Sequence, residues 1–288
     1  MTSPTVSAPG SSRAVPPDAS RCDDAPLPIR LARRVVAFAN RYAPVIAFIG
    51  LLSAWEVGCR IFHVPAYILP PPSVIVVGAF QQTATVWLDN IWATVRVALL
   101  GYAAAVLISV PVAVALASSR LLTRTLYPMI VVVHSMPIVA IAPIIVVTLG
   151  ASDLPRVVIT FLITFFPIVV TTTAGLMATP EEMIELSRSL RAGRMREMIH
   201  IRLPFAVSYI FSALRISTTL SIVGAVVSEF VASDHGLGYF IQFSTSFFKI
   251  NQAFAALAVL VTISLTFFQL VTWSQRILAP WSLPRSGS

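Results

Sequence analysis

Six apolar stretches, each long enough to cross a lipid bilayer, constrain this chain more than any other feature. They run over residues 44–62, 91–117, 126–149, 157–177, 205–231 and 253–273. About 20 helical residues at 1.5 Å each span a hydrocarbon layer of ~30 Å. Lipid offers no hydrogen bonds to the backbone, so stretches of this length cross it as helices. The expected fold class is therefore an all-α membrane protein with six transmembrane helices. Composition agrees. Of 288 residues, 57% are hydrophobic and 11% charged, and the mean hydropathy is +0.84. Such a chain cannot cover itself with a polar surface. A soluble enzyme or a nucleic-acid-binding domain is excluded, despite a net charge of +8.

Residues 1–43 are rich in Pro, Ser and Ala up to Pro28 and are expected to form a disordered tail. Residues 44–280 form the membrane body and residues 281–288 a short C-terminal tail. Arginines mark the orientation. Arg13, Arg21, Arg30, Arg33, Arg34 and Arg41 precede the first span. Arg120 and Arg124 follow the second, five arginines lie between the fourth and fifth, and Arg276 and Arg285 follow the sixth. All these fall on one side if six spans are counted, so the positive-inside rule puts both termini in the cytoplasm. The one lysine, Lys249, stands between Phe248 and Ile250. No Gly-Lys-Ser/Thr phosphate loop is possible, so any ATP that drives this chain is bound elsewhere. The two cysteines, Cys22 and Cys59, and the scattered histidines have no metal-ligand spacing, and neither a metal nor a cofactor is expected.

The polar insert at 179–204 is the most informative stretch. Thr179, Pro180 and Glu182 have the spacing of a helix cap, a first helical residue and a capping box. Met183, Leu186 and Leu190 then share one helical face. A second short helix is expected from Arg194 to Ile201, ending at Pro204. The residues alone leave two readings open. This elbow lies on anionic headgroups, or its apolar ridge docks in a groove of a partner protein.

Polar residues inside spans are costly and need a reason. Arg215 and Glu229 lie on roughly the same face of the fifth span, with Ser217, Thr218 and Ser221 between them. His134 and Ser135 precede Pro137 in the third. These side chains either line a translocation path or serve helix packing, since small hydroxyl residues do both. No nucleophile–base pair or metal set can be assembled within the spans, which argues against an intramembrane enzyme.

The insert resembles the EAA loop of the membrane-spanning subunits of bacterial ABC importers: Glu-Ala-Ala, three residues, Gly, nine residues, Ile-x-Leu-Pro. Glu185, Leu186 and Ser187 stand at the Glu-Ala-Ala positions, and Ile201, Leu203 and Pro204 at Ile-x-Leu-Pro. Arg191 occupies the glycine position, with Gly193 two residues later, so a shifted or reshaped turn is expected. Further stretches are similar to the nitrate/sulfonate/taurine branch: Tyr67-Ile-Leu-Pro-Pro-Pro-Ser73, Ser135-Met-Pro-Ile-Val-Ala-Ile-Ala-Pro143 and Ser228-Glu-Phe-Val-Ala-Ser-Asp-His-Gly-Leu-Gly-Tyr239.

The resemblance implies a MetI-like type I ABC importer permease fold in the bacterial inner membrane, with 179–204 as cytoplasmic coupling loop. It implies a second copy of the permease, two cytoplasmic ABC ATPases that bind ATP and Mg, and a periplasmic solute-binding protein, but no nucleic acid. Glu185, Leu186, Ser187, Leu190, Arg191, Gly193, Ile201, Leu203 and Pro204 would meet the ATPase. The solute it suggests is a small anion such as a sulfonate, taurine or nitrate. The alternative is a pyrimidine or vitamin precursor. An ion-coupled secondary carrier would need inverted repeats and a mid-depth carboxylate; no repeat is visible, and the elbow has no role in that scheme.

Overall fold

The computed structural model describes residues 27–150 and 152–282, with side chains from Tyr42 onward. Met1–Val57 and Gly58–Ser288 form two units. The first consists of most of helix α1 (Leu27–Ile61), whose stretch Tyr42–Ile61 is apolar enough to cross a membrane. Helix α1 begins well inside the stretch expected to be a tail. The rest of that tail, residues 1–26, lies outside the described residues.

The second unit contains α2 (Pro72–Phe80), α3 (Ala84–Ser118), α4 (Arg120–His134), α5 (Ile138–Leu149), α6 (Asp153–Met177), α7 (Glu181–Ser189), α8 (Arg194–Glu197), α9 (Leu203–Ala232), α10 (Leu237–Ser246) and α11 (Ile250–Leu278). A π turn, Met198–Arg202, joins α8 to α9. Among the described residues there is no strand. Among the described residues, five helical runs are long and apolar enough to cross a membrane, and a sixth crossing arises if α4 and α5 count as one. That pair bends by 90°. The expected kink at Pro137 is thus a full break. Pro137 has no N–H to donate, and it pushes Met136 out of the helical region. Pro111, Pro143 and Pro167, by contrast, stay inside α3, α5 and α6.

Helices α3, α6 and α9 form the core; α11 packs on α9, α10 and α2 pack on α11, and α4 and α5 lie against α3 and α6. Thr160 of α6 sits where the three meet. A Cβ on Gly101 of α3 would lie 2.6 Å from Thr160 Cβ, and one on Gly224 of α9 would lie 2.9 Å from Thr160 Cα. Many other buried positions in these helices are also small, among them Ala98, Ala105 and Ala113, Thr164 and Thr172, Ala213 and Ala225. Lipid supplies no hydrophobic drive for helix association, so close van der Waals contact and interhelical hydrogen bonds replace it. Tyr102 donates to the Leu214 carbonyl at 3.2 Å, and Ser109 to the Phe165 carbonyl at 3.2 Å.

Candidate functional site

The elbow adjoins the longest helical run among the described residues. Helix α8, the π turn and α9 make one helical run, Arg194–Ala232, of 39 residues. At 1.5 Å per residue that is roughly 58 Å, nearly twice the hydrocarbon layer. The run is therefore longer than the hydrocarbon layer, and its α8 end, with exposed Arg194 and Arg196, is the end suited to water. The expected end of the helix at Pro204 does not occur. Pro204 lies in the first turn of α9 and cannot donate to the preceding turn, and the π turn absorbs the missing bond. Glu197, buried, holds this junction. Its Oε1 accepts from Arg202 Nε at 2.9 Å and Nη2 at 2.7 Å, and its Oε2 lies 3.7 Å from Arg188 Nε on α7.

Helix α7 is capped differently from the sequence expectation. Its N-cap residue is Pro180, with no side-chain cap. Thr179 Oγ1 instead donates back to the Leu176 carbonyl at 3.2 Å, closing the end of α6. The apolar ridge is present and faces outward. Leu186 is 63% exposed, Leu190 75%, and Met195 on the adjoining helix 72%, with Met183 also exposed. Ser187 points inward and is buried, while Glu185 is exposed. Ile201 and Leu203 are half-buried and Pro204 exposed.

The turn between α7 and α8 is neither shifted nor rebuilt around Gly193. The Arg191 amide donates to the Arg188 carbonyl at 2.9 Å and the Ala192 amide to the Ser187 carbonyl at 3.0 Å. This pair of bonds is the Schellman helix end, which wants a left-handed residue between them. Arg191 takes that conformation at φ +56, while Gly193 has an ordinary φ of −69. The left-handed conformation costs a side-chain-bearing residue about 1–2 kcal/mol.

The polar residues of the spans do not converge on one site. Ser217, Thr218 and Ser221 are buried in the helix packing. Thr218 Oγ1 donates to the Arg215 carbonyl at 2.6 Å and Ser221 Oγ to the Thr218 carbonyl at 2.8 Å. Arg215 is half-buried and donates to Ser212 Oγ at 3.3 Å. His134 and Ser135 are exposed at the α4–α5 break, the His134 ring lying 5.7 Å from that of Phe166.

Glu229 is fully buried and belongs to a helix clamp. Helix α10 is capped at Gly236, where φ is +115 and any Cβ would strike the Glu229 carboxylate. Three successive amides there need partners. Gly236 N donates to Asn90 Oδ1 at 2.9 Å, Leu237 N to Thr94 Oγ1 at 2.8 Å, and Gly238 N to Glu229 Oε2 at 2.7 Å. The carboxylate also meets the positive end of the α10 dipole. Asn90 and Thr94 escaped the sequence reading, since only the fold brings them beside residues nearly 150 positions away.

A second polar group lies at the same end, opposite the elbow. Asp153 pairs with both Arg96 and Arg156, and Arg156 donates to Ser233 Oγ at 2.8 Å. Asp153, Arg96 and Arg156 line an open cavity of about 410 Å³ with Asp89, Trp92 and His235. Among the described residues, no group of His, Cys, Asp and Glu is placed to hold a metal ion.

Residues 105–283 match the family model described as binding-protein-dependent transport system inner membrane component. The chain is 34% identical to the riboflavin transport system permease protein RibX of Chloroflexus aurantiacus, across 80% of this chain and 87% of that one. It is 29% identical to the formylaminopyrimidine transport permease protein ThiX of Halalkalibacterium halodurans, across 83% and 95%. Identity to the taurine transport system permease protein TauC of Escherichia coli is 26%, across 80% and 86%. In structure it is similar to a chain of the MetNI methionine ABC transporter in an inward-facing conformation, with a TM-score of 0.58 at 19% identity over 70% of this chain and 98% of that one. The helical core, the elbow and these matches lead to one conclusion: the chain belongs to the family of inner-membrane components of binding-protein-dependent ABC transport systems.

Proposed function

We propose that the chain forms one half of the pathway of an ATP-driven importer, paired with a second copy of itself. The elbow is the surface gripped by a cytoplasmic ABC ATPase, one on each copy, and both termini lie on that side. ATP and Mg belong to the ATPase; this chain is a transport subunit, not an enzyme. A solute-binding protein delivers the solute at the opposite end. The observation that carries this reading is the exposed apolar ridge of Leu186 and Leu190, at α7, and Met195, on the extension of α9. A ridge of that kind suits a protein groove, and a rod through the core transmits its motion to the spans as a rigid body.

The solute is a small polar heterocycle of the pyrimidine or flavin type. The relatives that carry riboflavin and formylaminopyrimidine, at 34% and 29% identity, support it over the anion suggested by the sequence. The arginines are consistent with this, because Arg96 and Arg156 are both engaged by Asp153. A taurine-like anion is the second reading, supported by the relative at 26%. Proteoliposomes holding the chain, its ATPase and its binding protein test both. Uptake of a heterocycle that requires ATP supports the proposal. Uptake by the chain alone on an ion gradient contradicts it.

A further inference from the structure

The elbow carries a charge pattern that its own fold does not use. Glu197 engages Arg188 and Arg202. Arg191, Arg194 and Arg196 are exposed, and among the described residues they have no ionic partner. In sequence they flank Leu190 and Met195, the most exposed apolar residues of the elbow. Arg191 stands at the apex, in the left-handed conformation that the Schellman bonds of Arg191 and Ala192 demand. Glycine would close the same turn without strain. A strained residue persists where its side chain is needed.

We infer that Arg191 is a partner-recognition residue: its guanidinium reaches past the turn to a carboxylate at the rim of the apolar groove that receives Leu190 and Met195. This rests on the reading of the elbow as the ATPase contact and adds its electrostatic specificity. The favoured partner is therefore an ATPase with an acidic rim. A flat anionic lipid surface fits less well, because the arginines stand beside the raised apolar side chains Leu190 and Met195, a ridge that suits a protein groove. Guanidinium also suits a carboxylate, which it binds through two parallel N–H donors.

The test measures affinity between the detergent-purified full-length chain and the ABC ATPase that purifies with it from native membranes, at low and high salt. Arg191→Gly removes charge and strain together. Arg191→Asn removes the charge with a residue that tolerates the left-handed region, and Arg191→Lys keeps the charge. Arg191→Gly and Arg191→Asn should weaken binding about 5–10-fold at low salt, with the gap closing at high salt, while Arg191→Lys loses about half as much on a logarithmic scale. Arg191→Gly should also raise the melting temperature of the free chain by a few degrees. Undiminished binding of the Gly and Asn variants at low salt overturns the inference. So does unchanged ATPase affinity with weakened binding to vesicles containing phosphatidylglycerol, since the partner would then be lipid. Leu190→Asp separates the two levels. If wild type binds and Leu190→Asp does not, the elbow reading stands whatever Arg191 does; if wild type does not bind, both fall.

Discussion

Glu197 and Arg202 are hydrogen-bonded at 2.7 and 2.9 Å although they stand five residues apart in one helical run. In a regular α-helix that spacing turns two side chains about 140° apart. The π turn between them winds more loosely and brings them to one face. The pair therefore locks the turn, and through Arg188 it ties α7 to the same rod. Replacing Glu197 by Ala leaves the half-buried Arg202 guanidinium without its counter-charge, at a cost of about 2–4 kcal/mol. Thermal unfolding of the purified chain should show the loss. In the assembled transporter, ATP hydrolysis should continue while uptake falls, because the joint between handle and rod is loosened.

The α10 clamp predicts a clean split between two substitutions of one residue. Glu229→Gln keeps an oxygen for the Gly238 amide and should fold with a small loss. Glu229→Leu leaves that amide buried without a partner, which costs about 2–3 kcal/mol. Hydrogen exchange at the amides of Gly236, Leu237 and Gly238 should accelerate in the Leu variant only.

Gly236 gives a prediction of the same kind from the backbone. Its φ of +115 is open to glycine alone, and a Cβ there meets the Glu229 carboxylate. Gly236→Ala should destabilise the chain by at least about 2 kcal/mol. The yield of folded chain on size-exclusion chromatography measures it.

The crossing at Thr160 is equally exacting. Gly224→Leu forces a side chain against the α6 backbone and should separate α6 from α9. The expected loss is about 3 kcal/mol or more, as for overpacking without room to relax. Thr160→Ser removes only a methyl and should cost about 1 kcal/mol. Comparing their melting temperatures distinguishes a close helix crossing from a general intolerance of change in α6.

Much of this was legible in the sequence because lipid imposes simple rules. Apolar length alone located the spans, and the periodicity of Met183, Leu186 and Leu190 located the exposed ridge. What was not legible depended on backbone detail or on distant partners. Thr179 has the spacing of a cap, yet it serves the end of α6, because Pro180 leaves α7 fewer free amides to satisfy. Pro204 has the signature of a helix end, yet a π turn carries the helix past it. Glu229 has the position of a path residue, yet Asn90, Thr94 and the start of α10 enclose it. The left-handed turn stays at Arg191 because the hydrogen bonds of the helix end fix its place, not the nearest glycine.

The central claim is that the elbow is the handle by which an ATPase moves this chain. The most direct measurement is the affinity of that ATPase for the full-length chain carrying Leu186→Asp and Leu190→Asp. Both side chains are exposed, so the variant should fold with an unchanged melting temperature. The account predicts that ATPase binding and ATP-driven uptake are both lost, by at least about 100-fold in affinity. A folded variant that binds the ATPase as tightly as the native chain would contradict it.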